Sequence, residues 1–406
     1  MNKKRKSVGQ DPLDGVMEDF YKSGSDQDQD EEKEEQKQEK ADQSDRRSTK
    51  PFKNRAGDYD LANLMVIGVG GGGNNAIDRM VEAGVGGVKL ISINTDAQVL
   101  EVNKSDRAIQ IGKELTGGLG AGGNPEIGRE AALENQETIE KLLQDVDMLF
   151  ITCGMGGGTG TGATPVIADV AQKMEILTTG IVTRPFSFEG RERAEKAQRG
   201  LKNLSDKVDT IITISNDRLL EVAPSNISLI NAFAMVDEVL MQGVRGISEL
   251  ITVPGMINLD FADLRNAMKN GGPALMGIGE AEGEGKTKKA AKNAISSPLL
   301  EGSIEGARNV IMNVTGNTDL SLEEVTEAAQ LVKDEADEDA NIFFGTTIRN
   351  DLNSVKLTVI ATGYDGRTNH EDSDDIRQIA FSEEENGNMR DENDLDIPTF
   401  LRRGQG

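Results

Sequence analysis

Two glycine-rich segments contain the residues best suited to binding a ligand. The first reads GVGGGGNN at residues 68–75, and the second reads MGGGTGTG at residues 155–162. Each follows an apolar run and precedes a helical pattern. Glycines let backbone N–H groups crowd around phosphate oxygens, and the positive end of the helix dipole adds to the attraction. Thr159 and Thr161 supply further hydroxyl donors, so the two segments together predict a polyphosphate site.

The first segment alone also fits a dinucleotide-binding pattern, G-x-G-x-x-G. Gly68, Gly70 and Gly73 occupy its three positions, and Asp96 could accept a hydrogen bond from a ribose. An oxidoreductase of this kind needs one phosphate loop and a catalytic His, Lys or Tyr near its substrate. The only histidine, His370, lies in a polar tail. The second glycine-rich segment therefore favours a triphosphate over a dinucleotide.

The acidic segment Asn258-Leu-Asp-Phe-Ala-Asp263 is a third candidate. Asp260 and Asp263 are three residues apart at the start of a helical pattern, so their side chains face the same way. Two carboxylates and an amide could orient a water molecule for attack on a phosphate, with Mg²⁺ offsetting its charge. The same residues fit a capped helix with an acidic first turn, which stabilises any helix. From the residues alone, the cap is the favoured interpretation.

The charge and composition exclude several classes of site. The net charge is −25, of which −2 lies in residues 1–58 (13 Lys and Arg against 15 Asp and Glu) and −6 in residues 366–406 (5 against 11), leaving −17 for residues 59–365. Such a body should repel nucleic acid. One Cys and one His exclude disulfides, histidine triads and Cys- or His-rich metal clusters, so we predict no metal site made of protein ligands alone. No apolar run approaches the ~20 residues of a membrane span, and MNKKRK lacks a following apolar region, so we expect a cytoplasmic protein with no membrane insertion.

The elements that must position these residues alternate along the first half of the chain. Apolar runs predict strands at Leu64–Val69, Val88–Ile93, Met148–Thr152, Thr178–Thr183 and Thr210–Ile214. Helical patterns lie between them at Asn75–Ala83, Glu126–Leu143, Gly162–Met174 and Gly190–Leu204. The alternation predicts an α/β, Rossmann-like domain whose parallel sheet binds ligands at the carboxyl ends of its strands.

A smaller domain follows a long helical segment at Ser228–Leu250. Strands are predicted at Ala274–Ile278, Asn309–Thr315, Asn341–Ile348 and Val355–Thr362, and helices at Lys288–Ile295 and Ser321–Val332. Strands dominate, so we expect an α+β unit with a mixed sheet. Both ends of the chain are polar and charged, and we expect disordered N- and C-terminal tails.

The second glycine segment resembles the signature loop of the tubulin/FtsZ GTPase family. Further motifs occur in the order found in the bacterial cell-division protein FtsZ: GVGGGGNNA at 68–76, INTDAQ at 93–98, GLGAGGNPEIG at 118–128, FEGRER at 188–193, NLDFADL at 258–264 and ISSPLLEG at 295–302. The similarity extends from about Leu64 to Thr362 and includes the last dozen residues.

The resemblance implies GTP or GDP with Mg²⁺ as the ligands. The implied phosphate contacts are Gly71, Gly72, Gly73, Asn74 and Asn75 in the first loop and Gly158, Thr159 and Gly160 in the second. Arg193 would reach a phosphate, Glu189 would accept from the ribose, and Phe233 would stack on guanine, whose edge Asn216 and Asp237 would bind. A carboxylate can accept from both N1–H and the 2-amino group of guanine, and adenine offers no such pair of donors.

The resemblance also implies head-to-tail filaments of identical subunits. Asn258, Asp260 and Asp263 would act on the GTP of the next subunit, so hydrolysis would require self-assembly, and the filaments would form a division ring at midcell on the inner face of the membrane. The peptide Leu395–Arg403 would bind membrane-tethering and regulatory division proteins as a short helix.

The implied organisation has six parts. They are a charged extension (1–58), a GTP-binding domain (59–227), a central helix and loop (228–258), a GTPase-activating α+β domain (259–365), an acidic flexible linker (366–393) and a partner-binding peptide (394–406).

Three residues depart from the family pattern. Asn74 replaces a common glycine, and because Asn tolerates the left-handed backbone conformation better than most residues, we expect the loop to survive the change. Cys153 replaces a small apolar residue and should behave as a small hydrophobe. Asp237-Glu238 replaces an Asp-Asn pair, which leaves the second contact with guanine in question.

Overall fold

The structure is a computed structural model that describes residues 62–224, 226–253, 257, 259–349 and 352–364. The predicted N-terminal extension, acidic linker and C-terminal peptide lie outside these ranges, as does Asn258. The strands are β1 (Leu64–Val69), β2 (Val88–Asn94), β3 (Arg107–Gln110), β4 (Met148–Gly154), β5 (Leu177–Arg184), β6 (Thr210–Ser215), β7 (Gly272–Ala281), β8 (Asn309–Gly316), β9 (Asn341–Ile348) and β10 (Val355–Thr362).

The helices cover both faces of the sheet that these strands form. They are α1 (Gly70–Glu82), α2 (Ala97–Glu101), α3 (Lys113–Thr116), α4 (Pro125–Glu134), α5 (Gln136–Leu142), α6 (Thr159–Lys173), α7 (Arg191–Ser205), α8 (Asn216–Val222), α9 (Leu229–Thr252), α10 (Phe261–Met268), α11 (Lys286–Ile295) and α12 (Leu322–Glu335). No helix in the described ranges combines the length and the apolar character needed to cross a membrane.

Within the described residues, ten strands form one sheet in the order β3-β2-β1-β4-β5-β6-β7-β10-β8-β9. The strands from β3 to β6 are parallel, and β10 runs antiparallel to both β7 and β8. The predicted fold class, a parallel-sheet domain followed by a domain with a mixed sheet, is confirmed. The two halves are joined by Thr210–Ile212 of β6 pairing in parallel with Gly272–Ala274 of β7.

The core lies on both faces of this sheet. One cluster of buried side chains packs α1, α9 and α10 against the sheet, and a second packs α4 to α7 against the opposite face of its parallel part. A third cluster packs α11 and α12 against the mixed part. The strands β1, β4 and β5 are buried along almost their whole length, as expected for a parallel sheet covered on both faces.

Several details differ from the sequence prediction, among them the short helices α2, α3 and α8, which were not predicted. The helix predicted over Glu126–Leu143 is divided at Asn135, whose backbone has φ −107° and ψ 19° and whose side chain accepts a hydrogen bond from Gly112 N. Strand β3 was not predicted, because its four residues are too few to show a period and two of them are exposed.

Helix α9 runs from the carboxyl ends of the parallel strands, where the glycine loops lie, to the amino ends of these strands. Phe233, in its second turn, packs against Phe186, just beyond the carboxyl end of β5. Near the other end of α9, Thr252 lies so close to Gly87, just before β2, that a side chain on Gly87 would overlap it. A helix rises about 1.5 Å per residue, so these two ends are separated by about 29 Å along the axis.

Candidate nucleotide site

The two glycine loops meet at the carboxyl ends of the neighbouring strands β1 and β4. A Cβ atom built on Gly70 would lie 2.8 Å from Gly160 N, and one built on Gly72 would lie 3.3 Å from Gly154 N. Helices α1 and α6 begin within these loops, at Gly70 and Thr159. Two helix N-termini and their free N–H groups therefore converge on one region, the arrangement that suits an anion with several phosphates.

Several of these glycines are explained by packing alone. A Cβ on Gly73 would lie 2.5 Å from Thr152 O, one on Gly158 would lie 2.8 Å from Ala121 Cβ, and one on Gly160 would lie 3.0 Å from Gly154 O. Side chains at these positions would collide with the protein itself. Their absence therefore shows how closely the loops pack and gives no sign of a ligand.

Gly71 and Gly157 are different, because a Cβ on either would have no protein atom within 4 Å. Their backbones border open space at the junction of the two loops, and packing gives no reason for the missing side chain. This open cradle, lined by backbone N–H groups and helix N-termini, fits phosphate groups. Gly157 was not among the residues predicted to contact phosphate. Its position in the middle of three consecutive glycines is the sequence feature that could have indicated it.

The side chain of Asn74 links strands β1 and β2 by hydrogen bonds. Its buried amide donates from Nδ2 to Gly68 O at 2.9 Å, and its Oδ1 accepts from Asn94 Nδ2 at 2.7 Å. Asn74 does not need the left-handed backbone that Asn tolerates: among the described residues other than glycine, only Asp145, Glu175 and Asn270 have positive φ. Asn74 fits here because its amide satisfies polar groups of β1 and β2, and a side-chain contact with phosphate would break this pairing. The neighbouring Asn75 is exposed.

The threonines of the second loop hold that loop in shape. Thr159 is buried, and its Oγ1 lies 2.7 Å from Oγ1 of Thr95. Thr161 Oγ1 accepts from Gly156 N at 2.8 Å. Both hydroxyl oxygens therefore have a partner within the protein, and these bonds fix the shape of the loop.

Glu189 and Arg193 form an ion pair beside the second loop. Arg193 Nε lies 3.1 Å from Glu189 Oε2, and the other carboxylate oxygen accepts from Phe186 N at 2.8 Å. The Glu189 side chain is 10% exposed and that of Arg193 is 51% exposed, so the guanidinium is the group that reaches solvent. The stem of Arg193 covers Gly156, where a Cβ would lie 2.7 Å from Arg193 Cγ. Arg193 thus lies next to the second glycine loop, while Glu189 accepts from the backbone of the turn at Phe186.

Three aromatic rings line the region between β5 and α9. Phe186 is buried, stacks on Phe188 at 5.0 Å and meets Phe233 edge-on at 5.3 Å. Phe233 is partly exposed, so one part of its ring remains available to a planar ligand. Asn216, at the start of α8, is buried, and its Oδ1 has no hydrogen-bond partner among the described residues. A buried acceptor without a partner is suited to an N–H donor from a ligand.

Asp237 lies one helical turn after Phe233 on α9. Burial raises the pKa of its carboxyl to about 6; Arg79 opposes this shift and Asp78 adds to it. The neighbouring Glu238 has partners within the protein. One of its carboxylate oxygens lies 3.8 Å from Arg79 Nε, and the other accepts from Gln242 Nε2 at 2.6 Å. The half-buried Asp237 carboxylate is therefore the acidic group left to accept from a base, and Glu238 belongs to a separate polar contact.

The acidic segment lies at the far end of α9. Asp260 caps α10 by accepting from Asp263 N at 2.8 Å, as the cap interpretation expected, and Asp263 is exposed. Ile257 O accepts from Thr346 N at 3.1 Å, next to Gly345, which in turn approaches Leu250 near the end of α9. From Phe233 to Leu250 the helix rises about 26 Å. The structure therefore brings together the predicted phosphate and base contacts but not Asp260 and Asp263.

Comparisons with known proteins agree with this arrangement. The model of the Tubulin/FtsZ family GTPase domain matches residues 63–224, and that of the FtsZ family C-terminal domain matches residues 272–365. A solved structure described as an empty FtsZ dimer from M. jannaschii is 48% identical, with a TM-score of 0.73 over 75% of this chain and 89% of that one. A mutant of FtsZ from the same organism is 47% identical, with a TM-score of 0.73 over 75% and 92% of the two chains.

A more distant likeness extends to CetZ2 from Haloferax volcanii, described as a GTPγS-bound protofilament. It is 20% identical, with a TM-score of 0.65 over 78% of this chain and 98% of that one, and it shows the shared fold alone. The level of identity to FtsZ and the two family models together show that the chain belongs to the FtsZ family of tubulin-like GTPases.

Proposed function

We propose that this protein assembles head-to-tail into filaments and hydrolyses GTP at each junction between subunits. The observation that supports this most directly is that α9 rises about 26 Å from Phe233, on the side of the glycine loops, to Leu250, next to which the acidic segment begins. In a single chain Asp263 does not reach a phosphate held by the loops. A second copy stacked end to end would bring its acidic segment to the first copy's nucleotide. The M. jannaschii FtsZ described as a dimer supports self-association of such chains.

In this proposal each side chain has a limited task. The N–H groups at Gly71 and Gly157 and the N-termini of α1 and α6 hold the phosphates, with the remaining predicted loop residues shaping the cradle. Phe233 stacks on guanine, Asp237 accepts from its N1–H and 2-amino groups, and Asn216 supplies a further acceptor. Arg193 offsets phosphate charge, while Glu189 holds both Arg193 and the turn at Phe186.

Hydrolysis needs a water molecule aligned with the terminal phosphate. We propose that Asp263 and Asn258 of the next subunit orient this water, and that Asp260 keeps Asp263 in place by capping α10. The water oxygen bonds to the γ-phosphorus as the bond to the β–γ bridging oxygen breaks. Mg²⁺ would be bound mainly by phosphate oxygens and water, and its chemistry would be to offset the developing charge. No group of three or more acidic, His or Cys side chains in the described ranges could hold a metal on its own.

We further propose the cellular setting and the division of the chain that the family resemblance implies. The filaments would form a division ring in the cytoplasm at midcell, on the inner face of the membrane. The parts are those given above: 59–227 binds GTP, 228–258 connects, 259–365 activates hydrolysis, and 366–393 tethers the peptide at 394–406 to the body. A pull-down that compares the full chain with one lacking residues 395–406 would test the role of Leu395–Arg403; equal recovery of partners would contradict it.

Mixing two impaired variants tests the shared site. Gly71→Ala should bind GTP roughly 10- to 100-fold more weakly but keep the acidic segment, and Asp263→Ala should keep the nucleotide but lose the carboxylate. If the site is shared, a mixture with Mg²⁺-GTP should release phosphate faster than the two variants measured separately. The double variant, added in place of Gly71→Ala, is the control and should give no gain. A mixture no more active than its components, with wild-type turnover per subunit independent of protein concentration, would refute the proposal.

A further inference from the structure

An ion pair joins the end of β5, in the first domain, to the second domain. Arg184 is the last residue of β5, and Glu301 lies between α11 and β8. Arg184 Nη2 lies 2.5 Å from Glu301 Oε2, and the Glu301 side chain is 6% exposed. Among the ion pairs of the described residues, this one connects the parts of the chain before and after α9. Its burial distinguishes it from surface pairs, which contribute little.

Arg184 and Glu301 share one hydrogen bond, although a guanidinium and a carboxylate can share two. Arg184 Nε and Glu301 Oε1 are buried and have no hydrogen-bond partner among the described residues. One is a donor and the other an acceptor, and they belong to the same two side chains. A guanidinium and a carboxylate commonly form two parallel bonds, one through each pair of atoms. The unused atoms are therefore the ones that a second parallel bond would use.

Arg184 directly precedes the turn that carries the aromatic and acidic residues of the site. Phe186 packs against Phe233, and Glu189 accepts from Phe186 N and pairs with Arg193. The same turn is held by Ser187 N, which donates to Asp217 at 3.0 Å. A shift of this turn toward a bound nucleotide would move Arg184 relative to Glu301, because only Pro185 separates Arg184 from Phe186.

We propose that Arg184 and Glu301 are positioning residues whose ion pair closes from one bond to two when the nucleotide fills the site. The second domain then holds the turn at Phe186–Glu189 in place, and occupancy of the site is transmitted to the domain that carries the acidic segment. This inference rests on the proposed function, since it requires that the turn contacts a nucleotide.

The variant Arg184→Lys tests the second bond. Lysine keeps the positive charge and one bond to Glu301 but cannot form the parallel pair. Arg129→Lys is the matched control, because Arg129 pairs with Glu126 on an exposed surface within one domain. We expect both variants to unfold at the wild-type temperature without nucleotide. Only Arg184→Lys should bind GTP about tenfold more weakly, the loss expected for one charged hydrogen bond.

A second measurement observes the bond itself. In wild-type protein labelled with ¹⁵N-arginine, the Arg184 Nε–H signal, assigned by its absence from Arg184→Lys, should exchange more slowly with water once GDP is added. Glu301→Gln, which keeps the shape but removes the charge, should lose this change and serves as the test if Arg184→Lys fails to fold.

The outcomes separate this inference from the proposed function. If wild-type protein binds GDP while Arg184→Lys binds GTP as wild type does and the Nε–H exchange is unaltered, the inference is overturned; a water bridging the two atoms would give that result. If wild-type protein binds neither GTP nor GDP, the proposed function itself has failed.

Discussion

Replacing Gly71 with alanine would show whether the open space between the two glycine loops is a phosphate site. A Cβ at this position meets no protein atom within 4 Å, and the backbone does not have positive φ. The variant should therefore fold without strain. Alanine favours helix over glycine by up to about 1 kcal/mol, and Gly71 lies in the first turn of α1. The unfolding temperature should stay the same or rise by about 2 °C.

Binding should respond in the opposite direction. If phosphate fills the open space beside Gly71, the added methyl group would intrude on it, and we expect at least one hydrogen bond to a charged phosphate to be lost. Such a bond contributes about 1.5–3 kcal/mol, which corresponds to a roughly 10- to 100-fold weaker affinity for GTP. Gly73→Ala should behave differently, because its Cβ would lie 2.5 Å from Thr152 O. Overpacking of this kind costs about 1–3 kcal/mol, so that variant should be less stable even without nucleotide.

The assay combines thermal unfolding of nucleotide-free protein with titration of a fluorescent GTP analogue. Gly86→Ala is the matched control, since Gly86 is exposed, its Cβ would also meet nothing within 4 Å, and it lies just before β2, away from the loops. It should bind the nucleotide as wild type does. A Gly71→Ala variant that is stable and binds GTP with wild-type affinity would refute the assignment of this space to phosphate.

Three further outcomes follow from the same structure. GTP affinity should fall as the pH drops through about 6, where Asp237 is protonated, and Asp237→Asn should remove this dependence. Because burial raises that pKa, the folded state favours the neutral form, and the variant should gain stability over wild type above about pH 6 in urea titrations. Asp263→Ala should bind GTP and unfold like wild type but release phosphate slowly, whereas Asp260→Ala should also lose about 0.5–2 kcal/mol with its cap; unchanged turnover in both would contradict their roles. Cys153 is buried with its pKa raised to about 12, so iodoacetamide should label it only in denaturant, and labelling of the native protein would show that the core opens there.

The sequence predicted the layers of the fold because periodic patterns report burial. Long apolar runs and helical repeats identified most of the strands that form the sheet and the helices that cover it. Thr210–Ile212 pairs with Gly272–Ala274, so that the two domains share one sheet. No periodic pattern in the sequence indicates this pairing. It depends on the meeting of two strand edges about sixty residues apart, and no local pattern records which edge meets which.

The roles of individual loop residues were harder to predict for a similar reason. Gly71 and Gly73 are the same residue type two positions apart in one glycine run, yet a side chain on the first would meet open space and one on the second would collide with Thr152. The difference comes from a neighbouring strand about eighty residues away. Asn74 was expected to be tolerated because of its backbone preference, whereas in the structure it lies within α1 and its side chain pairs with Asn94. Burial of a polar side chain among distant polar groups is a tertiary property that single-residue preferences do not contain.

The cap at Asp260 and the proposed catalysis at Asp263 are compatible uses of one segment. Capping engages Oδ1 of Asp260 with the N–H of Asp263, which fixes the backbone from which the Asp263 side chain projects. Asp263 itself is exposed, and its carboxylate makes no hydrogen bond or ion pair to another described residue. The cap itself uses only the first of these two carboxylates. The second lies in the first turn of α10, where its negative charge also favours the positive end of the helix dipole, so the same residue suits both uses. A carboxylate that is held by a cap and left without a partner is what a neighbouring subunit would require for orienting water.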